Sequence, residues 1–569
     1  MDAGAAPARS RTIPALWRDA VASGREGPAY LVEHSDHWHP VSWPEAARRV
    51  DELANGLLAL GLRKGDTFVI LGNTRLEWSL FDFALASVGG VGAPIYMNSS
   101  PKDAQHVAEH SEAVGALVED DVQRAKLDGL ALRHVLTYAD LDDLAARGRA
   151  FAAENPGALD AAVAAIDEDD LFTYIYTSGT TGPPKACMIS HRNYYAMVAV
   201  VDGLPRFVLP SDVMLLYLPL AHNFGRLMHL VAPYVGFTLA HLDDPLRAAE
   251  ALTAVRPTIF PSVPRVFEKV HAAVVAQIEA APGPRRRIAE WALKVGYEVS
   301  ALRQADKPVP AGLALRHRVA DRLLYSKVKN RLGGHLRLGL SGGAPLAKEI
   351  IEFFHALDIL ILEAYGLTEC TSGATSNRLD AYRFGSVGRA LPGTELRLAE
   401  DGELLIRSET VFSGYFKDPE ATREVLSEDG WLRSGDIAAI DTEGYVTITD
   451  RKKDILVTAG GKNVAPQNIE NLLKLSPLVS QALVVGDRRP YIAALITLDQ
   501  AADAADAEKR VGEAVEAANA ELSRFEQVKR FRILARDFSA DEGEITPTLK
   551  LKRRVIEQHF AAEIDELYS

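Results

Sequence analysis

The strongest constraint on the fold is the alternation of helical and strand patterns in the first third of the chain. Residues 44–60 carry apolar side chains at helical spacing, Gly61 is placed to end that helix, and the short apolar, β-rich run 67–71 follows. The order then recurs, with a helix at 76–88, a strand at 91–96, a helix from Pro101, and strands at 116–118 and 134–138. Strands separated by helices build a largely parallel sheet covered by helices. The sequence therefore predicts an α/β fold.

The middle of the chain continues this pattern with longer helical stretches. Strand-like runs return at 213–218 and 258–260, and residues 256–329 are mostly helical in composition. Two polar segments that contain proline, 281–287 and 307–310, interrupt the helical stretch. We predict that both are exposed loops.

The pattern of the sequence changes from Ser386 onward, where short β-rich pieces alternate with Gly and Asp turns. These pieces are residues 395–398, 403–407 and 445–449. The charged run DRKKD at 450–454 then separates them from a last segment with helical and strand patterns of its own. We predict an N-terminal domain at 1–450, made of helix-covered sheets plus a β-rich subdomain, a linker at 451–454, and a small α+β C-terminal domain at 455–569.

Composition excludes several classes of function. The 569 residues include 63 Lys or Arg against 77 Asp or Glu, a net charge of −14, which is the wrong sign for a nucleic-acid-binding protein. Two cysteines suit a reducing compartment and are too few for a disulfide framework. The N-terminus does not read as a signal peptide, and no window approaches an uninterrupted membrane span. We expect a cytoplasmic protein, and contact with the periphery of a membrane stays open.

The run of hydroxyl and glycine residues at 177–185 carries the first chemical signal. An apolar strand pattern at 171–176 leads into it, and an extended pattern resumes at 186–189, so we expect a loop between two strands. Its hydroxyls and unobstructed backbone N–H groups can surround a polyphosphate, and Lys185 adds a positive charge. It is not a Walker A loop, because no GK[ST] follows the glycines and no helix follows the loop.

Residues 176–185, YTSGTTGPPK, resemble the signature loop of the AMP-forming acyl-CoA synthetases and their adenylate-forming relatives. Further motifs follow in the order of that family: SGGAPL at 341–346, YGLTE at 365–369, GYF at 414–416, GWLRSGD at 430–436 and DRKKDILVTAGGKNVAP at 450–466. The segments LPLAHNFGR at 218–226 and PSVPRVFEK at 261–269 are more similar to the long-chain fatty acid branch than to the acetate or amino-acid branches.

The resemblance implies a fatty acid:CoA ligase. In the family reaction a carboxylate attacks the α-phosphate of ATP to give acyl-AMP and pyrophosphate, and a thiol then displaces AMP. The first step brings anions together, so it requires Mg²⁺ and cations at the phosphates. The partners implied are a fatty acid, ATP and CoA, with Mg²⁺ as the cofactor. The sequence sets neither the acyl chain length nor the oligomeric state.

The resemblance also assigns roles to individual residues at the nucleotide. Glu369 is the implied Mg²⁺ ligand, Thr368 contacts the α-phosphate, and Tyr365 lies against the adenine. Asp436 and Arg451 match the ribose contacts of the family. The remaining implied nucleotide-binding positions are Thr177, Ser178, Gly179, Thr180, Thr181, Gly182, Lys185, Gly343, Ala344, Glu363 and Gly366.

Other implied positions concern catalysis and domain movement. Lys550 aligns with the catalytic lysine of the family, although Leu549 replaces the glycine that usually precedes it, which makes Lys552 a rival. His222 falls where the family places a ring beside the substrate carboxylate; the alternative is a structural histidine.

In the family the C-terminal domain rotates between the two steps, and the matching hinge position here is Lys453. Gly460 and Gly461 would permit close approach of the CoA arm. Cys370 follows Glu369, but we reject a covalent thioester on it, because nothing nearby supplies a matched base.

Two alternatives differ from CoA ligation. The chain could load a fatty or aryl acid onto a carrier protein, which is distinguished by the thiol and the acid consumed. It could also be a nucleotide-binding protein without turnover; the joint presence of Glu369, Asp436, Arg451 and Lys550 argues against that.

Overall fold

Two helix-covered sheets form most of the N-terminal part of the chain. The computed structural model describes residues 10–35, 37–177, 184–499, 506–539, 542–546 and 550–569. The strands of this part are β1 (Pro28–His34), β2 (His37–Ser42), β3 (Thr67–Leu71), β4 (Val91–Ile95), β5 (Gly115–Val118), β6 (His134–Thr137), β7 (Leu171–Thr177), β8 (Lys185–Ser190), β9 (Val213–Leu216), β10 (Thr238–His241), β11 (Ile259–Ser262), β12 (Leu338–Ser341), β13 (Ile361–Tyr365), β14 (Thr375–Ser376) and β15 (Arg389–Ala390).

The helices of the same part cover both sheets. They are α1 (Ile13–Ala22), α2 (Trp43–Ala59), α3 (Leu76–Ser87), α4 (Pro101–His110), α5 (Asp121–Ala125), α6 (Leu141–Glu154), α7 (Ala158–Ala164), α8 (His191–Ala199), α9 (Asn223–Val235), α10 (Ala248–Val255), α11 (Pro264–Glu279), α12 (Gly283–Gln304), α13 (Ala311–Ala320), α14 (Ser326–Arg331) and α15 (Lys348–Ala356). A π-helical turn, Asp321–Tyr325, joins α13 to α14.

The two sheets have mixed but mainly parallel pairing. One has six strands in the order β6-β5-β3-β4-β7-β8, in which only the β7–β8 pair is antiparallel. The other has nine strands in the order β15-β14-β13-β12-β11-β9-β10-β1-β2, antiparallel only toward its two edges. The central strands β3, β4 and β5 are buried along their whole length, as expected of apolar runs covered on both faces.

A smaller antiparallel sheet and a separate C-terminal unit complete the molecule. The sheet contains β16 (Glu395–Leu398), β17 (Glu403–Arg407), β18 (Leu432–Ile440) and β19 (Val446–Arg451), with α16 (Pro419–Val425). The C-terminal unit contains β20 (Leu456–Val457), β21 (Asn463–Val464), α17 (Pro466–Leu473), β22 (Val479–Val485), β23 (Ile492–Leu498), α18 (Ala507–Ala520), β24 (Val528–Ile533), α19 (Arg553–His559) and α20 (Ala561–Glu566). This unit has its own apolar clusters. The predicted fold class is confirmed.

Several predicted limits differ by a few residues, and the prediction of a loop at 281–287 is wrong over most of its length. The loop predicted at 281–287 is limited to the few residues between Glu279 and Gly283, and α12 already contains Arg285. The helix starts this early because Pro284 lies in its first turn, where a proline removes no helical hydrogen bond. The second interruption, at 307–310, is confirmed as the break before α13.

A buried ion pair ties the two large sheets together. Arg226 of α9 and Asp82 of α3 are both inaccessible to solvent, and the guanidinium Nε donates to the Asp82 carboxylate at 3.2 Å. Its Nη1 donates to Thr173 Oγ1 of β7 at 2.6 Å, and its plane lies 4.4 Å from the Phe172 ring centroid. Because Arg226 follows β9 of one sheet and Thr173 belongs to the other, this contact fixes how the sheets pack.

Polar contacts also join α11 to the C-terminal unit. Arg265 donates from Nη1 to the Ser480 carbonyl and from Nη2 to Ser480 Oγ, both at 2.8 Å. Lys474 Nζ donates to Glu268 Oε1 at 3.2 Å. Ser480 in turn donates to Asp537 Oδ2 at 2.5 Å. We call these five residues the interdomain latch.

Among the residues that the structure describes, no helix has both the length and the apolar character needed to cross a bilayer.

Candidate active site

The predicted phosphate loop closes a β-hairpin. Strands β7 and β8 pair antiparallel with Thr177 opposite Lys185, and the Thr177 hydroxyl donates to the Lys185 carbonyl at 3.5 Å. The Lys185 ammonium lies 3.6 Å from the Asp418 carboxylate and 5.2 Å from the Tyr415 ring centroid. Five of the predicted positions, Ser178, Gly179, Thr180, Thr181 and Gly182, lie outside the described residues.

Glu369 lies in the turn that follows β13. The Tyr415 hydroxyl donates to Glu369 Oε1 at 2.7 Å, and burial together with this carboxylate raises the pKa of Tyr415. The neighbouring Thr368 is held through its backbone, because Asn223 Nδ2 donates to its carbonyl at 3.2 Å. Glu369 is thus fixed through one carboxylate oxygen, in a position where the other oxygen can serve a ligand.

Asp436 and Arg451 are paired by strand register. They stand opposite each other on β18 and β19, with Arg451 Nε 3.5 Å from Asp436 Oδ1. The Tyr365 hydroxyl donates to Asp436 Oδ2 at 2.5 Å. Burial raises the pKa of Asp436, and Arg451 opposes that shift. The three residues implied for adenine and ribose therefore form one contiguous group.

Two glycines beside this group have physical reasons for their positions. Gly343 adopts a left-handed φ of +85° after β12, and Gly366 leaves no room for a side chain, since a Cβ there would lie 2.1 Å from the Ser372 carbonyl oxygen. Ala344 follows Gly343 in the same loop.

Glu363 holds that loop. It is buried on β13 and accepts the Leu346 N–H at 3.1 Å through Oε1. Burial raises the pKa of Glu363 to about 7, so its side chain is partly protonated at neutral pH. The hydrogen bond that Glu363 accepts from Leu346 therefore stabilises the loop that carries Gly343 and Ala344.

His222 combines a structural contact with a free ring edge. It caps α9, because its Nδ1 accepts the Phe224 N–H at 3.1 Å. Burial, and to a smaller extent the charge of Lys550, lowers the pKa of His222 to about 3, so the ring is neutral. A neutral imidazole that accepts at Nδ1 carries its proton on Nε2. The ring can therefore donate a hydrogen bond from Nε2 to a ligand.

Lys550 of the C-terminal unit lies within electrostatic reach of Arg451, Asp436 and Glu369. Thr546 N–H donates to the Lys550 carbonyl at 2.8 Å, and Lys550 N–H donates to Thr546 Oγ1 at 3.0 Å, which closes a short loop. Lys550 is exposed at the surface of the C-terminal unit, yet the protein atoms around it, and next the charge of Arg451, lower its pKa to about 8, while Asp436 and Glu369 act in the opposite direction. Lys550 therefore shares one electrostatic environment with the N-terminal residues.

The rival lysine occupies a different position. Lys552 precedes α19, and its backbone N–H donates to the Glu544 carbonyl at 2.7 Å. Leu549, the departure from the motif, lies outside the described residues.

Both cysteines are buried thiols. Burial raises the pKa of Cys370 to about 12, and its Sγ contacts the backbone of Leu367 at 3.4 Å. Burial also raises the pKa of Cys187. A protonated, inaccessible thiol is a poor nucleophile, which agrees with rejecting a covalent role for Cys370.

The predicted hinge and CoA positions lie near the start of the C-terminal unit. Lys453 is exposed in the turn that follows β19. Gly460 and Gly461 form the turn between β20 and β21, where Gly461 has a φ of +72° and donates to the Thr458 carbonyl at 2.8 Å.

The residues fit a magnesium ion that arrives with a nucleotide. Within the described ranges no three His, Cys, Asp or Glu side chains cluster as a complete metal site. Mg²⁺ is commonly held by one or two carboxylates plus substrate phosphates, and Glu369 offers one oriented carboxylate. Glu369 would hold the ion against the phosphates.

Sequence reasoning missed the residues that orient the site. Tyr415 lies within the quoted GYF motif but received no role, and Asn223 received none within LPLAHNFGR. The only signal available was position, since both polar side chains lie within motifs that had been quoted.

The carboxylate–arginine pair, the oriented glutamate and the lysine from the C-terminal unit are features of a nucleotide-dependent enzyme. The AMP-binding enzyme model matches residues 17–416, and the AMP-binding enzyme C-terminal domain model matches residues 453–569. The chain belongs to the family of AMP-binding enzymes.

Curated relatives match nearly the whole chain. The long-chain-fatty-acid–CoA ligase FadD15 of Mycobacterium tuberculosis is 39% identical over 584 residues, covering 96% of this chain and 95% of the relative. The long-chain-fatty-acid–CoA ligase ACSBG2 of Homo sapiens is 28% identical over 620 residues, covering 98% and 92%.

Solved structures share the fold. The adenylation domain of a carboxylate reductase from Mycobacterium chelonae superposes with a TM-score of 0.78 at 22% identity, covering 100% of this chain and 92% of that one. ATP-bound MatB from Rhodopseudomonas palustris gives 0.72 at 24% identity, covering 97% and 99%.

Proposed function

We propose that the protein activates a fatty acid with ATP and transfers the acyl group to CoA. The observation that carries this proposal is that the charges of Asp436 and Glu369, from the N-terminal part, act on Lys550 of the C-terminal unit. Relatives that cover both ends of the chain are named long-chain-fatty-acid–CoA ligases, which supports a long-chain acid as the substrate.

The first step joins a carboxylate oxygen of the acid to the α-phosphorus of ATP and breaks the bond from that phosphorus to the bridging oxygen of pyrophosphate. The carboxylate and the triphosphate repel each other, so the site must supply positive charge and hydrogen-bond donors. Lys550 supplies a charge that is present below about pH 8. His222, neutral and protonated on Nε2, donates to the carboxylate without adding a charge that would be buried.

The nucleotide is bound by groups on either side of this reaction. Asp436 accepts hydrogen bonds from the ribose hydroxyls, and Arg451 forms an ion pair with the Asp436 carboxylate. The Tyr365 hydroxyl fixes the same carboxylate, and the Tyr365 ring lies against the adenine. We expect Thr368 and Thr177 to bind the phosphates, together with Ser178, Gly179, Thr180, Thr181 and Gly182, which lie outside the described residues. Glu369 would hold Mg²⁺, which would neutralise phosphate charge as a Lewis acid when bound.

The second step requires a different arrangement of the C-terminal unit. The thiol sulfur of CoA attacks the acyl carbonyl, and the bond between that carbonyl and AMP breaks. We propose residues 1–450 and 455–569 as the two domains, with residues 451–454 as the linker and Lys453 as the hinge that carries Lys550 away and brings Gly460 and Gly461 to the CoA. A polar, exposed hinge can change its backbone angles without disrupting a core. Because ATP and CoA are its proposed cosubstrates, we propose that the enzyme acts in the cytoplasm.

The decisive experiment measures pyrophosphate release over saturated acids from acetate to arachidate and over aryl acids, with and without CoA. We expect a long-chain optimum and conversion to acyl-CoA. Stable acyl-AMP that only a carrier protein consumes would favour loading of a carrier. ATP binding without pyrophosphate release from any acid would leave only a nucleotide-binding protein.

A matched pair of variants tests the lysine assignment. Lys550→Ala should abolish acyl-AMP formation, whereas Lys552→Ala should leave most of it, because the charges of Asp436 and Glu369 act on Lys550, while Lys552 precedes α19 and donates its backbone N–H to Glu544. Equal defects, or the reverse order, would contradict the assignment.

A further inference from the structure

One outer face of the N-terminal part combines exposed apolar and basic side chains. Its apolar members lie on α12, α13 and the π-helical turn, with exposed fractions of 44% for Ile288, 62% for Leu315, 44% for Val319 and 41% for Leu323. Its basic members, all exposed, are Arg285, Arg287, Arg318, Arg322 and Lys327. We call these nine residues the basic helical face.

These residues are neighbours in space and not only in sequence. Leu315 and Val319 are four residues apart on α13 and so share one side of the helix. An open groove is lined by both of them together with Arg318, Arg322 and Leu323. A second groove, lined by Ile288 and Leu323 with Arg285 and Lys327, continues from it. Leu323 lies in both grooves, so the face is continuous.

The charge of this region opposes that of the chain. Residues 283–331 carry twelve Lys or Arg and four Asp or Glu, a net charge of +8, whereas the whole chain carries −14. Three of the four acidic residues are already paired, Glu290 with Arg286, Glu298 with Arg316 and Asp321 with Lys329.

The basic members of the face remain available. Arg285, Arg287, Arg318, Arg322 and Lys327 make no ion pair with any residue in the described part of the chain. Five such cations on a protein of strongly negative net charge form a local positive field, which attracts anions at the scale of a Debye length.

We propose that the basic helical face docks the protein onto an anionic lipid bilayer. Basic residues near an anionic membrane gain electrostatic attraction, and apolar side chains between them insert at the level of the headgroups. A polyanion such as a nucleic acid would use the cations but would gain nothing from Leu315 and Leu323. The apolar side chains therefore favour lipid over a soluble polyanion.

Docking would also serve the proposed function, because long-chain fatty acids partition into bilayers. The docking proposal does not depend on that function. Vesicle binding is measured without ATP, CoA or acid, so its failure leaves the proposed ligase activity untouched, and loss of ligase activity leaves the docking proposal untouched.

The test is co-sedimentation of the full chain with vesicles of phosphatidylcholine alone and of equal parts phosphatidylcholine and phosphatidylglycerol. We expect binding only to the anionic vesicles, and release at high salt. The variant Arg318→Ser/Arg322→Ser/Lys327→Ser should bind at least tenfold more weakly, since each basic residue near such a surface contributes about fivefold.

Two further variants make the result specific. The matched control Arg63→Ser/Arg147→Ser/Lys102→Ser removes the same charges from exposed positions elsewhere and should retain binding. Leu315→Ser/Leu323→Ser keeps every charge and should also weaken binding.

Absence of binding to anionic vesicles, or equal loss in the control, would overturn the proposal. If the leucine variant bound vesicles fully and heparin competed with vesicles for the protein, the face would be a site for soluble polyanions. That result would also overturn the proposal.

Discussion

Arg265 offers the sharpest test of how domain position controls the two half-reactions. Its guanidinium makes two hydrogen bonds of 2.8 Å to Ser480 of the C-terminal unit, and it is only 18% exposed, beside Glu268 at 3.7 Å. They belong to the arrangement in which the charges of Asp436 and Glu369 act on Lys550, and we expect rotation of the C-terminal unit to break them. Arg265→Ala should therefore disfavour that position without touching the nucleotide.

The size of the effect follows from the bonds that are lost. A hydrogen bond to a charged group contributes about 1.5–3 kcal/mol, and the lost guanidinium also leaves Glu268 with Lys474 as its only ion-pair partner among the described residues. That free energy corresponds to about a tenfold to hundredfold shift in the balance between domain positions. We expect acyl-AMP formation to fall by at least tenfold, and transfer from preformed acyl-AMP to CoA to be unchanged or faster.

The assay is a pair of single-turnover rates, pyrophosphate release from acid and ATP, and acyl-CoA formation from added acyl-AMP. Lys269→Ala is the matched control, because Lys269 lies on the same helix, is exposed, and makes no ion pair within the described residues. Ser480→Ala should have a smaller effect than Arg265→Ala, because the backbone carbonyl of residue 480 still accepts a hydrogen bond from Arg265. Equal losses in both half-reactions, or an equal effect of Lys269→Ala, would refute the reasoning.

Four further outcomes are expected. Glu369→Gln should slow Mg²⁺-dependent pyrophosphate release, because about 2.7–4 kcal/mol of transition-state stabilisation is lost while the fold stays intact. A rate within about threefold of the parent would contradict the metal assignment. Lys453→Pro should retain acyl-AMP formation and lose most transfer to CoA in single-turnover assays, whereas equal loss of both would exclude the hinge. The pKa of Lys550 is lowered from 10.5 to about 8, so its charge disappears as pH rises through about 8, and kcat/KM for ATP should fall above that pH. Lys550→Arg should move this fall to higher pH. A pH profile that the variant leaves unchanged on its alkaline side would exclude Lys550 as the source. Arg226→Met should destabilise the fold by about 3–5 kcal/mol in urea unfolding because Asp82 is left buried and unpaired, and Arg226→Met/Asp82→Leu should recover part of that loss; no recovery would mean that packing, not charge, carries the effect.

Local patterns predicted the elements well where turn residues bound them. Strands β3, β16 and β17 have the predicted limits, since Gly, Asp and Pro flank short runs of β-forming residues. The start of α12 was missed because a proline reads as a helix breaker, although in a first turn it is compatible with the helix.

Contacts between distant parts of the chain could not be read from one sequence. Arg265 and Ser480 are 215 residues apart, and neither the spacing nor the residue types around them indicate that they meet. The resemblance implied that Asp436 and Arg451 both contact the ribose and so lie close together. The reason that they do, which is that they stand opposite each other on β18 and β19, is known only from the strand register. For His222 the pattern could not separate a helix cap from a site residue, because one ring nitrogen serves the cap and the other remains free.

The buried pair of Arg226 and Asp82 has a consequence for synthesis on the ribosome. The six-stranded sheet is complete once Ser190 has emerged, but until Arg226 follows, the carboxylate of Asp82 has no counterion in its buried position. Strands β1 and β2 are synthesised first, but β1 joins the nine-stranded sheet by pairing with β10, so this pair cannot join its sheet until β10 has been synthesised. The N-terminal domain is therefore expected to close late and in one cooperative event, with early strands left dependent on chaperones while the chain grows.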